Sequence, residues 1–402
     1  MVKQAVIIAG GKGTRMKPFT DRHPKPMYPI QGKPFIEYLI LQIREFGIHD
    51  ILILLGYMAA EIKNFLGDGS AFGVHISYDI TPIEYGTLER LLHATPLIDS
   101  AFLFLYCDNY CPVDYVQLLS DFARNQAMIQ LSVYENRDEY TKNNLLLEGS
   151  KVRIYDKSRE APGLNGVDIG YAVMDKQVIT LVESRGGRDS ASFEATVYPE
   201  LARQGKLYAT VTRHRYYSVG SWERISLTNA FFSNPVTVFL DRDGTVNQKA
   251  PKACYIERPD QFVWLEGAKD AVRMLKEAGC RVILVTNQPG IARGRLTEAM
   301  LAQIHELMQE ELERDTGYRL DAIYYCPHDW SEGCECRKPR PGMLYAAQKD
   351  FSLDLTKAVL IGDDERDMEA GKSAGCTCIR VTEGYNLLRA VMELLDRGSF
   401  KY

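Results

Sequence analysis

Two apolar runs along the chain end in the same abrupt way. Gln4-Ala5-Val6-Ile7-Ile8-Ala9 stops at Gly10-Gly11-Lys12-Gly13, and Val236-Thr237-Val238-Phe239-Leu240 stops at Asp241-Arg242-Asp243-Gly244. A short β-branched run without polar alternation is the pattern of a strand buried on both faces, delivering a loop to the carboxyl edge of a parallel sheet. After the first run the pattern predicts helices over 34–46, 58–66 and 86–94, alternating with strands over 51–55, 74–78 and 102–106. After the second it predicts a helix over 268–279, a strand over 281–287, a helix over 297–315 and a strand over 358–364. There is no internal repeat, low-complexity tract or coiled-coil heptad. The alternation therefore predicts two α/β domains, each a parallel sheet between helical layers. Asn234-Pro235 is a turn signal without a long polar linker, so the division is placed at 1–233 and 234–402.

Length agrees with that division, because 402 residues exceed the roughly 250–300 at which single cores stop growing. A hydrophobic fraction of 46% and a charged fraction of 25% are those of an ordinary globular protein. The net charge of -5 argues against a nucleic-acid-binding face. Ala5 to Ala9 is too short for a signal-peptide core or a membrane span, so a cytoplasmic protein without a membrane partner is expected. Cys107, Cys111, Cys254, Cys280, Cys376 and Cys378 lie apart from the cluster at Cys326 and read as small core residues in a reducing compartment. Cys326, His328, Cys334 and Cys336 are a different case. Cys-x-His followed by Cys-x-Cys supplies four ligands suited to tetrahedral Zn²⁺ with no open position, the mark of a structural site.

The first loop, Gly10-Gly11-Lys12-Gly13-Thr14-Arg15, fits neither a Walker loop, which needs Gly-Lys followed at once by Ser or Thr, nor a dinucleotide fingerprint, which needs a third glycine where Met16 stands. It remains a flexible loop whose backbone N–H groups can approach phosphate, with Arg15 and Lys25 to neutralise charge. The stretch from Gly10 through Pro24-Lys25-Pro26 to Lys33-Pro34 resembles the sugar-1-phosphate nucleotidyltransferases, over about 230 residues. That resemblance implies a Rossmann-like nucleotidyltransferase fold and catalytic roles for Arg15 and Lys25. It further implies nucleotide binding by Gly10, Gly11, Gly13, Thr14, Arg15, Gly86 and Thr87, Mg²⁺ on Asp108, and sugar phosphate contacts from Lys157 and Glu194. Two departures stand out. Ser218 occupies the place of the family's second metal-binding aspartate, and Leu88, Glu89 and Arg90 replace small residues after Gly86-Thr87, which bears on base selection.

In the second loop, Asp241 and Asp243 are two apart in an extended segment and point the same way. One carboxylate can attack phosphorus while the other moves the proton of the leaving oxygen. An EF-hand is excluded, since no glutamate closes a twelve-residue loop after Asp241. Downstream, Thr286 and Asn287 end one strand, Lys338 follows the cysteine cluster, and Asp363 and Asp364 end another strand. This series resembles the haloacid dehalogenase superfamily across all four of its motifs. It implies Asp241 as nucleophile, Asp243 as general acid and base, Thr286 and Lys338 on the phosphoryl oxygens, and Mg²⁺ held by Asp241, the Asp243 carbonyl and Asp363. The cysteine segment is similar to the zinc loop of one capless branch, the heptose 1,7-bisphosphate and histidinol phosphatases, in which Asn287, Arg293 and Arg337 would contact substrate.

Together the two resemblances imply consecutive steps: removal of the 7-phosphate from D-glycero-D-manno-heptose 1,7-bisphosphate, then transfer of a nucleotidyl group, GMP from GTP, to the heptose 1-phosphate with release of pyrophosphate. The alternative is a histidinol-phosphate-type or other sugar phosphatase carrying a nucleotidyltransferase-like domain that binds or scaffolds. The substrates would be a sugar bisphosphate, a sugar 1-phosphate and an NTP; the oligomeric state is open.

Overall fold

The computed structural model describes residues 2–179, 192–251 and 254–396. The chain divides into two compact units, Met1–Phe232 and Ser233–Tyr402.

The first unit is built on a nine-stranded sheet in the order His75–Ile80, Asp50–Leu55, Gln4–Ala9, Ala101–Tyr106, Val167–Asp175, Ile129–Tyr134, Leu207–Thr212, Lys151–Tyr155, Leu145–Glu148. The first four strands pair in parallel, as the apolar runs predict. Val167–Asp175 runs antiparallel to both of its neighbours and Lys151–Tyr155 to both of its own, so the sheet is mixed, with four of its eight pairings parallel. Burial explains why the pattern did not reveal this direction: seven of the nine residues of Val167–Asp175 are buried, and a strand covered on both faces reads alike whichever way it runs. Alternate residues feed separate cores, with Ile7, Ile53 and Leu103 packing on one face and Val6, Leu52 and Phe104 on the other.

The predicted helices of this unit form as Phe35–Glu45, Ala59–Leu66 and Thr87–Ala94. Their first residues sit at the carboxyl edge of the sheet, where the loops after Ala9, Leu55 and Ile80 meet.

The second unit has a five-stranded, wholly parallel sheet ordered Ala322–Cys326, Arg281–Asn287, Thr237–Leu240, Val359–Gly362, Thr377–Arg380. The central strand is the first in sequence, and the following strands are laid to one side of it and then to the other. Loops leaving the carboxyl ends therefore diverge beside Leu240 and open a crevice. The long helix Glu298–Thr316 starts where the Thr297 hydroxyl accepts from Met300 N at 3.1 Å, a cap of about 1 kcal/mol, and stops at Gly317 with φ 78°. Leu301, Ile304, Met308 and Leu312 press its inner face into the core. Among the described residues no helix is long and apolar enough to cross a membrane.

Candidate functional site

A cavity of about 360 Å³ occupies the crevice of the second unit, lined by Asp241, Asp243, Thr286, Asn287, Arg337, Lys338 and Asp363 among others. Its floor is an ionic cluster. Lys338 Nζ donates to Asp241 Oδ1 at 2.5 Å and to the Val285 carbonyl at 2.9 Å, and pairs with Asp367 at 2.5 Å. Burial disfavours the charge on Lys338, but the two carboxylates outweigh it and hold the ammonium above its ordinary pKa. Burial pushes Asp241 up to about 7 against the opposing pull of Lys338.

Asp243 lies in a different environment. Burial raises its pKa, but Arg242, Asn247 and Gln288 outweigh that and hold it below the usual carboxylate range. Arg242 NH2 meets both carboxylate oxygens at 3.0 and 3.1 Å, Asn247 Nδ2 donates at 3.1 Å and Gln288 Nε2 at 2.9 Å. Gln288 also donates to Thr286 Oγ1 at 2.8 Å. Asn287 brackets the Lys338 backbone, accepting from its N–H at 3.0 Å and donating to its carbonyl at 3.1 Å. Gly244, with φ 96°, lets the turn pass close to Asp363: a Cβ there would stand 2.5 Å from Asp363 Oδ2.

The donor set fits a hard dication. Carboxylate oxygens of Asp241, Asp363 and Asp367 lie within 4.8 Å of one another, and Asp363 Oδ1 is buried without a hydrogen-bond partner. Such an orphaned anionic oxygen is costly unless a cation meets it. The other oxygen, Oδ2, is taken by Lys249 Nζ at 2.6 Å.

Beside the cavity the four zinc candidates converge. Cys336 Sγ is 3.2 Å from both Cys326 Sγ and His328 Nδ1, and Cys334 Sγ is 3.5 Å from each of the other sulfurs. These separations are far longer than the ~2.05 Å of a disulfide and near the edges of a tetrahedron around a single ion. Nδ1 is the imidazole nitrogen that faces the sulfurs, a choice the sequence does not encode. Arg337 leaves the loop into the cavity, its NH1 held by the His328 carbonyl at 3.2 Å. Arg293 is placed otherwise: it does not line this cavity, and its guanidinium is engaged by both Asp329 oxygens at 2.7 and 3.1 Å and by the Tyr255 hydroxyl. Through Asp329 it is joined to the loop that carries the four candidate ligands.

In the first unit the structure brings Arg15, Lys25, Asp108 and Ser218 to one place. Lys25 Nζ pairs with Asp108 at 2.5 Å, and that carboxylate outweighs burial to hold Lys25 above its ordinary value. A Cβ on Gly220 would lie 2.9 Å from Ser218 Oγ, 3.3 Å from Asp108 Oδ2 and 3.9 Å from Arg15 NH2. Gly13 takes the left-handed conformation at φ 60°, and the Thr20 hydroxyl donates to its carbonyl at 3.0 Å. Thr14 and Arg15 follow in a tight 3₁₀ turn. Gly11 has open space where a side chain would be, whereas Gly10 lies against the guanidinium of Arg90. Lys157 Nζ donates to Ser192 Oγ at 2.6 Å and reaches Glu194 at 3.3 Å. Thr87 Oγ1 accepts from Phe193 N at 2.9 Å and Gly86 N donates to Glu89 at 2.6 Å, so the loop at Gly86-Thr87 lies beside Lys157 and Glu194.

Residues 4–233 match the family model described as nucleotidyl transferase, and residues 335–394 match the one described as HAD-hydrolase-like. D-glycero-beta-D-manno-heptose-1,7-bisphosphate 7-phosphatase from Yersinia pestis is 45% identical over 144 residues, covering 34% of this chain and 74% of that protein. The protein of the same name from Escherichia coli K12 is 41% identical over 144 residues, covering 34% and 73%. The chain belongs to both families, one in each unit. Among solved structures, HddC from Yersinia pseudotuberculosis matches at TM-score 0.50 and 26% identity, covering 57% of this chain and 98% of that one. A putative glucose-1-phosphate thymidylyltransferase from Bacillus anthracis matches at TM-score 0.52 and 19% identity, covering 57% and 94%, a likeness of fold.

Three residues of the phosphatase-family unit were missed by sequence reasoning. Asp367 stands four positions after Asp363 at a helix start, a spacing that could have revealed it. Arg242 and Gln288 carry no comparable signal.

Proposed function

We propose that the chain is a bifunctional enzyme of nucleotide-sugar synthesis. The second unit removes the 7-phosphate of D-glycero-D-manno-heptose 1,7-bisphosphate, and the first transfers a nucleotidyl group to the heptose 1-phosphate so formed. The observation that carries the reading is the junction at Lys338, which ties Asp241 and Asp367 together beside Asp363 and Thr286. Asp241 attacks phosphorus, and the bond from phosphorus to the sugar oxygen breaks. That oxygen takes its proton from Asp243, which its neighbours hold ionised in the free site and which gains that proton from the phosphate monoanion of the substrate. Water then attacks the aspartyl phosphate, Asp243 recovers a proton from the water, and the Asp241–phosphorus bond breaks to free phosphate. Lys338 and Thr286 hold the phosphoryl oxygens. Mg²⁺ on Asp241, Asp363 and the Asp243 carbonyl supplies charge neutralisation when bound.

In the first unit, Gly10, Gly11, Gly13 and Thr14 hold the nucleotide phosphates. A sugar phosphate oxygen attacks the α-phosphorus and the bond to the β-phosphate breaks, releasing pyrophosphate. Arg15 and Lys25 meet the charge that develops, Asp108 offers a Mg²⁺ ligand, and Lys157 and Glu194 face the sugar phosphate. GTP is the proposed donor. The cofactors are Mg²⁺ and a structural Zn²⁺, and the proposed location is the cytoplasm. The test is phosphate release across sugar bisphosphates together with pyrophosphate release for each NTP with a heptose 1-phosphate. Asp241→Asn should abolish the first and leave the second intact; loss of both would refute two independent sites. Ser218 favours one second reading, a first unit that binds nucleotide without transferring it, and absence of pyrophosphate with every NTP would establish that reading instead.

A further inference from the structure

The largest fully buried side chain among the described residues is a cation, Arg242, at 1% exposure. It stands between Asp241 and Asp243, just past the end of the strand Thr237–Leu240. A guanidinium taken out of water persists only where its donors are met. Here Nε and NH2 grip the carboxylate of Asp243, while NH1 lies 3.2 Å from Nε2 of His305. His305 is itself buried, on the helix Glu298–Thr316. Because Arg242 can only donate, His305 must accept at Nε2, so it is the neutral imidazole protonated at Nδ1. Gln288 Nε2 and Asn247 Nδ2 each donate once to Asp243. Arg242 makes three contacts with that carboxylate, and His305 is the group that meets its remaining nitrogen.

We propose that His305 is a positioning residue of the phosphatase reaction, acting through Arg242 to aim the Asp243 carboxyl at the leaving sugar oxygen. This rests on the reading of Asp243 as the group that protonates that oxygen. In the affected step the Asp241–phosphorus bond forms, the phosphorus–oxygen bond to the sugar breaks, and the electron pair left on the sugar oxygen takes the Asp243 proton. A sugar alkoxide needs that proton, whereas p-nitrophenolate leaves without one. Loss of aim therefore penalises the sugar substrate selectively.

The experiment measures kcat/KM of the full chain with Mg²⁺ on the heptose bisphosphate and on p-nitrophenyl phosphate, and takes their ratio. Both values come from one preparation, so a fraction of unfolded protein cancels. His305→Leu should lower the ratio about tenfold, a part of the roughly 10²–10⁴ that proton transfer contributes. Arg242→Lys, which cannot span His305 and both Asp243 oxygens, should lower it at least as far. His305→Gln, whose amide oxygen can replace Nε2 as acceptor, should return most of the loss. An unchanged ratio in His305→Leu, or equal losses on both substrates, would overturn the proposal. Asp243→Asn separates the two levels: if it too leaves the ratio unchanged, the general-acid reading of Asp243 fails, and if it collapses the ratio while His305→Leu does not, only the role of His305 fails.

Discussion

The environment of His305 also fixes how the phosphatase unit responds to acid. Burial, and then the neighbouring Arg242 charge, push the imidazole down to about 3, against about 6.5 in an unfolded chain. The folded state therefore binds fewer protons than the unfolded state between these values. A group depressed in this way contributes stability that is fully present above the unfolded pKa and is lost as pH falls towards the folded one. At about 1.4 kcal/mol per pH unit once the unfolded imidazole is fully charged, going from pH 6.5, where it is half charged, to pH 4.5 removes about 2 kcal/mol through this one side chain. His305→Gln keeps an acceptor for Arg242 and does not titrate. The assay is urea unfolding of wild type and variant at pH 6.5, 5.5 and 4.5, followed by the fluorescence of Trp264 and Trp330. Acid effects of the carboxylates are common to both proteins, so their difference isolates His305. Wild type should lose about 2 kcal/mol more than His305→Gln over that range. Parallel pH dependences would refute the neutral, buried imidazole.

Cys334→Ser should lower bound zinc from one equivalent per chain towards zero by metal analysis. It should also raise KM for the bisphosphate, because the loop carrying Arg337 loses a site worth roughly 10–16 kcal/mol in small zinc domains; full activity without zinc would contradict a structural clip. Ser218→Asp restores a carboxylate next to Asp108 and should reduce the Mg²⁺ concentration that half-activates pyrophosphate release by about fivefold, since hard dications prefer carboxylate to hydroxyl; titration of Mg²⁺ in the pyrophosphate assay reads this. Gly244→Ala places a methyl against Asp363 at a positive φ, costing about 1–2 kcal/mol in backbone strain, and should weaken Mg²⁺ activation of phosphate release by at least about tenfold.

The legible and illegible parts of this molecule differ in how far apart the interacting residues lie in the chain. Asp241 and Asp243 are two apart, Cys326 to Cys336 span one loop, and each set announces its chemistry through local spacing. The groups that tune those residues come from elsewhere: His305 is 63 positions from Arg242, and Gln288 is 45 from Asp243. Arg242 itself sits inside the most readable motif of the chain. Its place between the two aspartates does not say that its side chain is buried.

Arg90 shows the same limit in the first unit. Replacement of a small residue there predicts bulk intruding on the base pocket. Instead the side chain is turned inward and buried at 2% exposure, donating to the carbonyls of Leu55 at 2.6 Å, Pro82 at 3.0 Å and Gly10 at 3.3 Å, and to the Thr81 hydroxyl. Four of its five N–H donors are thereby engaged, which leaves little with which to read a base. It fastens the loop after Ala9 to the ends of two neighbouring strands, and in doing so tethers Gly10 from beneath while Gly11 faces open space. On the proposed reading of this loop as a nucleotide site, an arginine at this position would act on binding through the rigidity of the loop. Its length, which on sequence alone looked like an obstruction, is what lets one side chain reach three strand ends.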